Sequence, residues 1–296
     1  MRRASLLRLV GLALIWGSSF LWIKLALRSL SPGEVVAVRL ALGALVLYGV
    51  LKVRGERLPE GANVWLHLGV AALVANVVPF ALFAYGERQV DSAIAGILNA
   101  TTPLWTILVA LAVRQERQPT AAKLVGIAVG FAGTVVIFSP WRHASQVMSW
   151  GGLACLVAAA LYGFTFVYIT HFLAGRGLSP YRLAAGQLIA GAVIAAAALP
   201  FLGAPLPHWR PDAMIAVAIL GAVGTGLAYL INYRLIIDEG ASATSIVTYL
   251  MPIVSVVLGA VALHELIPLN VIAGMMVVLA GVALARRRAT SLQIAR

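Results

Sequence analysis

SAIAGILNATTPLWTILVALAV (residues 92–113) and ASATSIVTYLMPIVSVVLGAVAL (residues 241–263) are uncharged, almost wholly apolar stretches about as long as a bilayer core requires. Each carries a proline as its twelfth residue, Pro103 in the first and Pro252 in the second. A proline in mid-helix has no N–H to donate and frees the carbonyl four residues earlier. The carbonyls concerned are those of Asn99 and Thr248. In lipid a freed carbonyl is tolerated only where protein or a wet cavity satisfies it. The polar neighbours repeat as well: Asn99, Thr102 and Thr106 in one stretch, and Thr244, Thr248 and Ser255 with Met251 in the other. At 100° per residue each set covers about 60° of one helical face. Such a stripe suits the wall of a solute path, and it also suits packing between helices, where Ser and Thr bond to backbone.

Working outward, eight further apolar stretches have similar length: Leu6–Leu25, Gly33–Leu51, Val64–Tyr85, Ala121–Phe138, Trp150–Phe172, Tyr181–Leu202, Ala213–Ile236 and Leu269–Ala285. The 296-residue chain is 61% hydrophobic and 11% charged, with mean hydropathy +0.96. Roughly 25% charged residues is normal for a soluble domain, so there is too little charge here to dress a water-facing surface. The reading is an all-α membrane protein with ten transmembrane helices and the lipid bilayer as its solvent. The N-terminal run continues past Trp16 to Trp22 without a small-residue cleavage site, so it reads as an uncleaved first span.

The net charge of +12 raises nucleic acid as a partner, but the basic residues sit in short breaks between apolar runs. That pattern encodes topology and argues against nucleic-acid binding. Of the 22 Lys and Arg, sixteen fall on one side of an alternating ten-span path and six on the other. The positive-inside rule puts the richer side, and both termini, in the cytoplasm. Cys155 stands alone in an apolar run, which excludes an internal disulfide and a CxxC site. No metal-ligand spacing, nucleotide loop or hydrolase motif occurs, so no cofactor and no enzymatic activity is expected.

The two halves repeat. Trp16-Gly17-Ser18-Ser19-Phe20 answers to Tyr162-Gly163-Phe164-Thr165-Phe166, and Ser31-Pro32 to Ser179-Pro180. Pro103 answers to Pro252, Glu116 to Glu265, and Pro119 to Pro268. The repeats read as residues 1–140 and 148–288, with 289–296 a cytoplasmic tail. Five spans per unit is an odd number, so the second unit enters from the opposite side and the repeats are inverted. Transporters use this architecture, with the solute bound near the midplane between halves that rock about it.

The opening at Trp16–Phe20, the SP-x6-R pattern of Ser31, Pro32 and Arg39, and Pro103 followed by Glu116 resemble the EamA-like branch of the drug/metabolite transporter superfamily. The resemblance covers essentially the whole chain. It implies a ten-helix inverted repeat in the bacterial inner membrane, exporting amino acids or other small metabolites. The second half departs from the pattern, with Gln187 where the first has Arg39.

Candidate solute-binding residues are Trp16, Ser19, Asn76, Asn99, Thr102, Trp105, Tyr162, Thr165, Asn232, Thr248 and Tyr249. Pro103, Pro252, Glu116 and Glu265 are read as structural, the two acids as helix-end groups. Arg39 is the one charge expected well inside a span, where it costs about 2.5–3.5 kcal/mol and so calls for a role. A clamp holding helices together is the leading reading, and contact with a solute carboxylate is the alternative. Small-residue ladders such as Gly126-x3-Gly130 could pack helices within one subunit or between two, which leaves a homodimer open. A different organic solute (a drug, nucleoside or sugar derivative), a lipid-modifying membrane enzyme and a non-transporting scaffold remain the competing functions.

Overall fold

The computed structural model describes residues 3–115, 119–139, 141, 144–202, 210–263 and 269–285, and every regular element among them is helical. The first half comprises α1 (Arg3–Gly17), α2 (Ser19–Ala26), α3 (Pro32–Val53), α4 (Ala62–Ala72), α5 (Val78–Gly86), α6 (Ser92–Asn99), α7 (Thr102–Ala112) and α8 (Ala121–Phe138). The short α9 (Ala144–Val147) leads to the second half. There the helices are α10 (Trp150–Phe172), α11 (Pro180–Ala198), α12 (Pro211–Gly221), α13 (Ala228–Glu239), α14 (Ala241–Ser245), α15 (Val247–Leu263) and α16 (Leu269–Ala285).

Seven helical stretches are long and apolar enough to cross a membrane: Arg3–Ala26, Pro32–Val53, Ala62–Gly86, Ile94–Ala112, Trp150–Phe172, Pro180–Phe201 and Pro211–Glu239. The stretches expected as the fifth, ninth and tenth spans appear as shorter apolar helices, Ala121–Ile137, Ala241–Val254 and Leu269–Ala285. Glu116, Glu265 and the tail 289–296 lie outside the described residues, as does the side chain of Ser255.

Local sequence sets the helix starts. At α3 the Ser31 hydroxyl accepts from the Glu34 amide (3.3 Å), and the Glu34 carboxylate accepts from the Ser31 amide (2.7 Å). This reciprocal cap, with Pro32 at the first helical position, satisfies two otherwise orphaned donors. The repeat of this site at α11 keeps the Ser179 cap on the Arg182 amide (3.2 Å) but has no acid three residues on. Glu56 from the loop before α4 supplies the carboxylate instead, accepting from the Ser179 hydroxyl.

The halves pack as counterparts. Helices α3 and α11 pair with each other, as do α8 and α16. Helix α1 lies on α13 and α15, just as α10 lies on α5 and α7. Helix α12 packs on α3, as α4 packs on α11. Exchanging the halves therefore maps one set of neighbours onto the other. The burial pattern is inverted relative to a soluble protein: Asn76, Gln187 and Thr225 are fully buried, while Leu7, Leu45, Val193 and Met276 stand outside.

Three kinds of helix break bring polar backbone to the centre. A π-helical turn at Leu73–Val77 joins α4 to α5, and another at Ala222–Leu227 joins α12 to α13. Such single wide turns inside α-helices recur at functional sites. Pro79 removes one backbone donor and frees the carbonyl of Ala75, which then accepts from the Tyr229 hydroxyl (3.0 Å). In the other half the Gly224 carbonyl accepts from the Trp16 indole (3.2 Å). The second break separates α6 from α7 at Ala100-Thr101, where the freed Asn99 carbonyl accepts from the Thr102 hydroxyl (2.7 Å).

The third break departs from expectation. Helix α15 runs through Pro252, and its interruption comes earlier, at Ile246. The cause is the polar run before it. The Thr244, Ser245 and Thr248 hydroxyls donate to the carbonyls of Gly240, Ser242 and Ser245 at 2.8, 3.1 and 2.9 Å. Local side-chain bonds of this kind compete with the helical ladder.

Candidate functional site: a central cavity between the halves

These broken helices surround a cavity with about 750 Å3 of space free of atoms, part of it continuous with solvent. Both halves contribute matched positions. Trp16 and Ser19 face Tyr162 and Thr165 across the repeat, and Asn99 is answered by Thr248. Asn232 completes the expected residues that the cavity gathers.

Four expected residues fall elsewhere. Asn76 is fully buried behind the wall, where its amide oxygen accepts from Gln187 (2.6 Å); its neighbour Ala75 lines the space. Thr102 spends its hydroxyl on the Asn99 carbonyl and faces α10. The Trp105 indole donates to the Thr101 hydroxyl (3.2 Å), and the side chain packs on Gly163 of α10. Tyr249 points to α8 and donates to the Ile127 carbonyl (2.9 Å). Asn76 and Tyr249 are captured by partners on neighbouring helices, and Thr102 and Trp105 by groups three and four residues back in their own stretch, which helical spacing alone does not show.

The sequence also passed over much of the wall. Phe20, Phe80, Phe83 and Phe166 line the space, Phe83 stacked on Tyr162 with ring centres 5.8 Å apart. An apolar residue in an apolar span carries no signal of its own. The nearest clue was the spacing of Phe80 and Phe83 just after Pro79. Tyr229 lines the cavity with its ring and has an edge contact to Trp16 at 6.1 Å.

Arg39 is in the wall and is the only charged side chain among the lining residues. It bridges α3 to the π turn between α12 and α13, its Nε donating to Thr225 Oγ1 (3.1 Å). Thr225 in turn donates to the Leu220 carbonyl (2.9 Å), so its oxygen is fixed as an acceptor. The flat guanidinium lies over the Phe80 ring, 3.6 Å from its centre. Among the described residues no carboxylate lies within the 4.0 Å of an ion pair, although Glu87 acts on it electrostatically.

The counterpart of this contact stands in the other half. Gln187 occupies the place of Arg39, and Asn76 the place of Thr225. Gln187 reaches from α11 to the π turn between α4 and α5, as Arg39 reaches from α3 to that between α12 and α13. Gln187 also accepts from the Tyr233 hydroxyl, and the cluster is sealed from the cavity. Gln187→Leu would leave Asn76 and Tyr233 without these partners at about 1–3 kcal/mol each. A fall of about 10 °C in Tm of the detergent-purified protein is the expected result, and an unchanged Tm would count against the cluster's structural role.

The comparisons with known proteins agree with this architecture. The sequence model of the EamA-like transporter family matches twice, over residues 3–139 and 149–287. YoaV of Bacillus subtilis, named a transporter, is 23% identical over 94% of both chains. YedA of Escherichia coli, named an inner membrane transporter, is 27% identical over 88% of this chain and 84% of its own. A protein of Streptantibioticus cattleyicolor named a probable terminal-alkyne amino-acid exporter is 28% identical over 92% of this chain and 90% of its own. A crystal structure 21% identical superposes with a TM-score of 0.78 over 97% of each chain, which supports the fold. With both halves matched in turn, the chain belongs to the EamA-like transporter family.

Proposed function

We propose that the protein exports small metabolites such as amino acids across the inner membrane, as a secondary transporter working by alternating access. The observation that carries this reading is the cavity lined by matched positions of the two halves. On this reading the chain crosses ten times, as inverted five-helix units at 1–140 and 148–288, with both termini cytoplasmic. Inversion makes the two mouths of the cavity interchangeable in design, so rocking the halves opens one while closing the other. The wall suits an amphipathic solute: its aromatic faces offer apolar contact, and its Asn99 and Asn232 carry buried amide oxygens with no hydrogen-bond partner among the described residues.

Uptake into vesicles tests the proposal. Purified protein reconstituted in liposomes and preloaded with unlabelled amino acids should accumulate labelled amino acid by exchange, well above empty liposomes. Exchange no faster than in empty liposomes across a panel of amino acids, nucleosides and cationic drugs would sink the transport reading.

A further inference from the structure

We infer that Arg39 is the carboxylate-binding element of the cavity, and that the solute is a monocarboxylate carrying an apolar body, most simply a zwitterionic amino acid with an apolar side chain. This rests on the transport reading above. Three observations place a ligand anion there. The guanidinium is 4% exposed yet faces the cavity, at a depth where an unbalanced charge is costly. Its Nε and one flat face are already occupied by Thr225 and Phe80. The two Nη groups have no hydrogen-bond partner among the described residues, and they form the fork that matches the two oxygens of a carboxylate.

Charge bookkeeping narrows the class. The lining holds one cation and no Asp, Glu, Lys or His, and buried Glu87 outside the lining already offsets part of that charge, so the wall suits at most a single negative charge. A phosphate dianion or a dicarboxylate would leave charge uncompensated. Asn99 and Asn232 in the wall carry buried Oδ1 atoms without a partner among the described residues, and turned toward the space they would accept from an ammonium group, beside the aromatic faces of Trp16 and Tyr162.

The repeat indicates why this charge is not merely a helix clamp. Gln187 makes the same contact to the opposite π turn without any charge, and does so sealed from the cavity. Bridging helix to π turn therefore needs only an amide. An arginine at the equivalent place adds a charge that the bridge itself does not require.

Arg39→Gln copies the solution found in the other half, so it removes the charge while keeping a bridging side chain. Arg39→Lys keeps the charge and loses the fork. The assay is exchange of labelled L-phenylalanine in proteoliposomes, competed with L-phenylalaninamide, 3-phenylpropionate, phenethylamine and uridine, with Tm measured for each variant. Expected are competition by 3-phenylpropionate but not by phenylalaninamide or phenethylamine, and at least a 30-fold loss of exchange in Arg39→Gln at unchanged Tm. Arg39→Lys should retain an intermediate rate. Equal competition by the amide, normal exchange in Arg39→Gln, or wild-type protein that moves uridine or phenethylamine but not phenylalanine would each overturn the carboxylate assignment while transport stands. Movement of none of these probes would remove the transport reading and this inference together.

Discussion

Reconstituted Asn99→Leu/Thr248→Leu protein is expected to exchange solute at least about 30-fold more slowly than wild type, while folding normally. The two positions are counterparts in the repeat, each 3% exposed and each facing the cavity from a broken helix. Asn99 has a buried amide oxygen without a hydrogen-bond partner among the described residues. Thr248 has its proton committed to the Ser245 carbonyl, which leaves its oxygen lone pairs toward the space. Replacing a hydrogen-bonding group that a bound solute uses costs about 1–3 kcal/mol per site, and two sites compound to roughly 30-fold or more. Leucine is a strong helix former that shares the γ-branch of asparagine, and the cavity beside both positions leaves room for its larger side chain, so the fold should tolerate it. Initial exchange rates beside Tm values separate the two effects. Normal rates with normal folding would remove these residues from the solute path.

The second large effect concerns the pairing of α8 with α16. Gly133 and Gly274 let these helices meet backbone to backbone. A Cβ on Gly133 would stand 2.6 Å from the Val278 amide nitrogen, and one on Gly274 would stand 2.7 Å from Ile137 Cγ1 and 2.8 Å from the Gly133 carbonyl oxygen. Backbone cannot move aside as a side chain can. Either Gly133→Leu or Gly274→Leu should cost about 3 kcal/mol or more, at the upper end of overpacking penalties, and abolish a monodisperse peak in detergent chromatography. Gly49→Leu is the control, since nothing lies within 4 Å of a Cβ there. Both interface variants eluting like wild type would show that the close pairing contributes little.

Much of the frame was readable before any coordinates. The Ser31-Pro32-Gly33-Glu34 start forms the reciprocal cap its spacing implies. Chemistry within one turn of helix is enough to specify that. The matched prolines marked where helices break in the first half, but in the second the Ser/Thr run upstream moved the interruption to Ile246. Pattern identified which face of a helix is polar without identifying its neighbour. Thr102, Trp105 and Tyr249 consequently turned to protein partners, and Asn76 to Gln187. The absence of a second arginine at Gln187 was visible in the sequence. That Gln187 and Arg39 make equivalent contacts to equivalent π turns became visible only when the helices were packed.

The central claim is that Asn99 and Thr165 face an aqueous space reachable from both sides of the membrane. Cys155, the single cysteine, is fully buried, so Cys155→Ser gives a silent background. Single cysteines at positions 99, 165 and 249 are then challenged in oriented vesicles with a membrane-impermeant sulfonate thiol reagent, applied from one side at a time. The account predicts reaction at 99 and 165 from either side, slowed by transported solute, and none at 249. Positions 99 and 165 as inert as 249, from both sides, would contradict it.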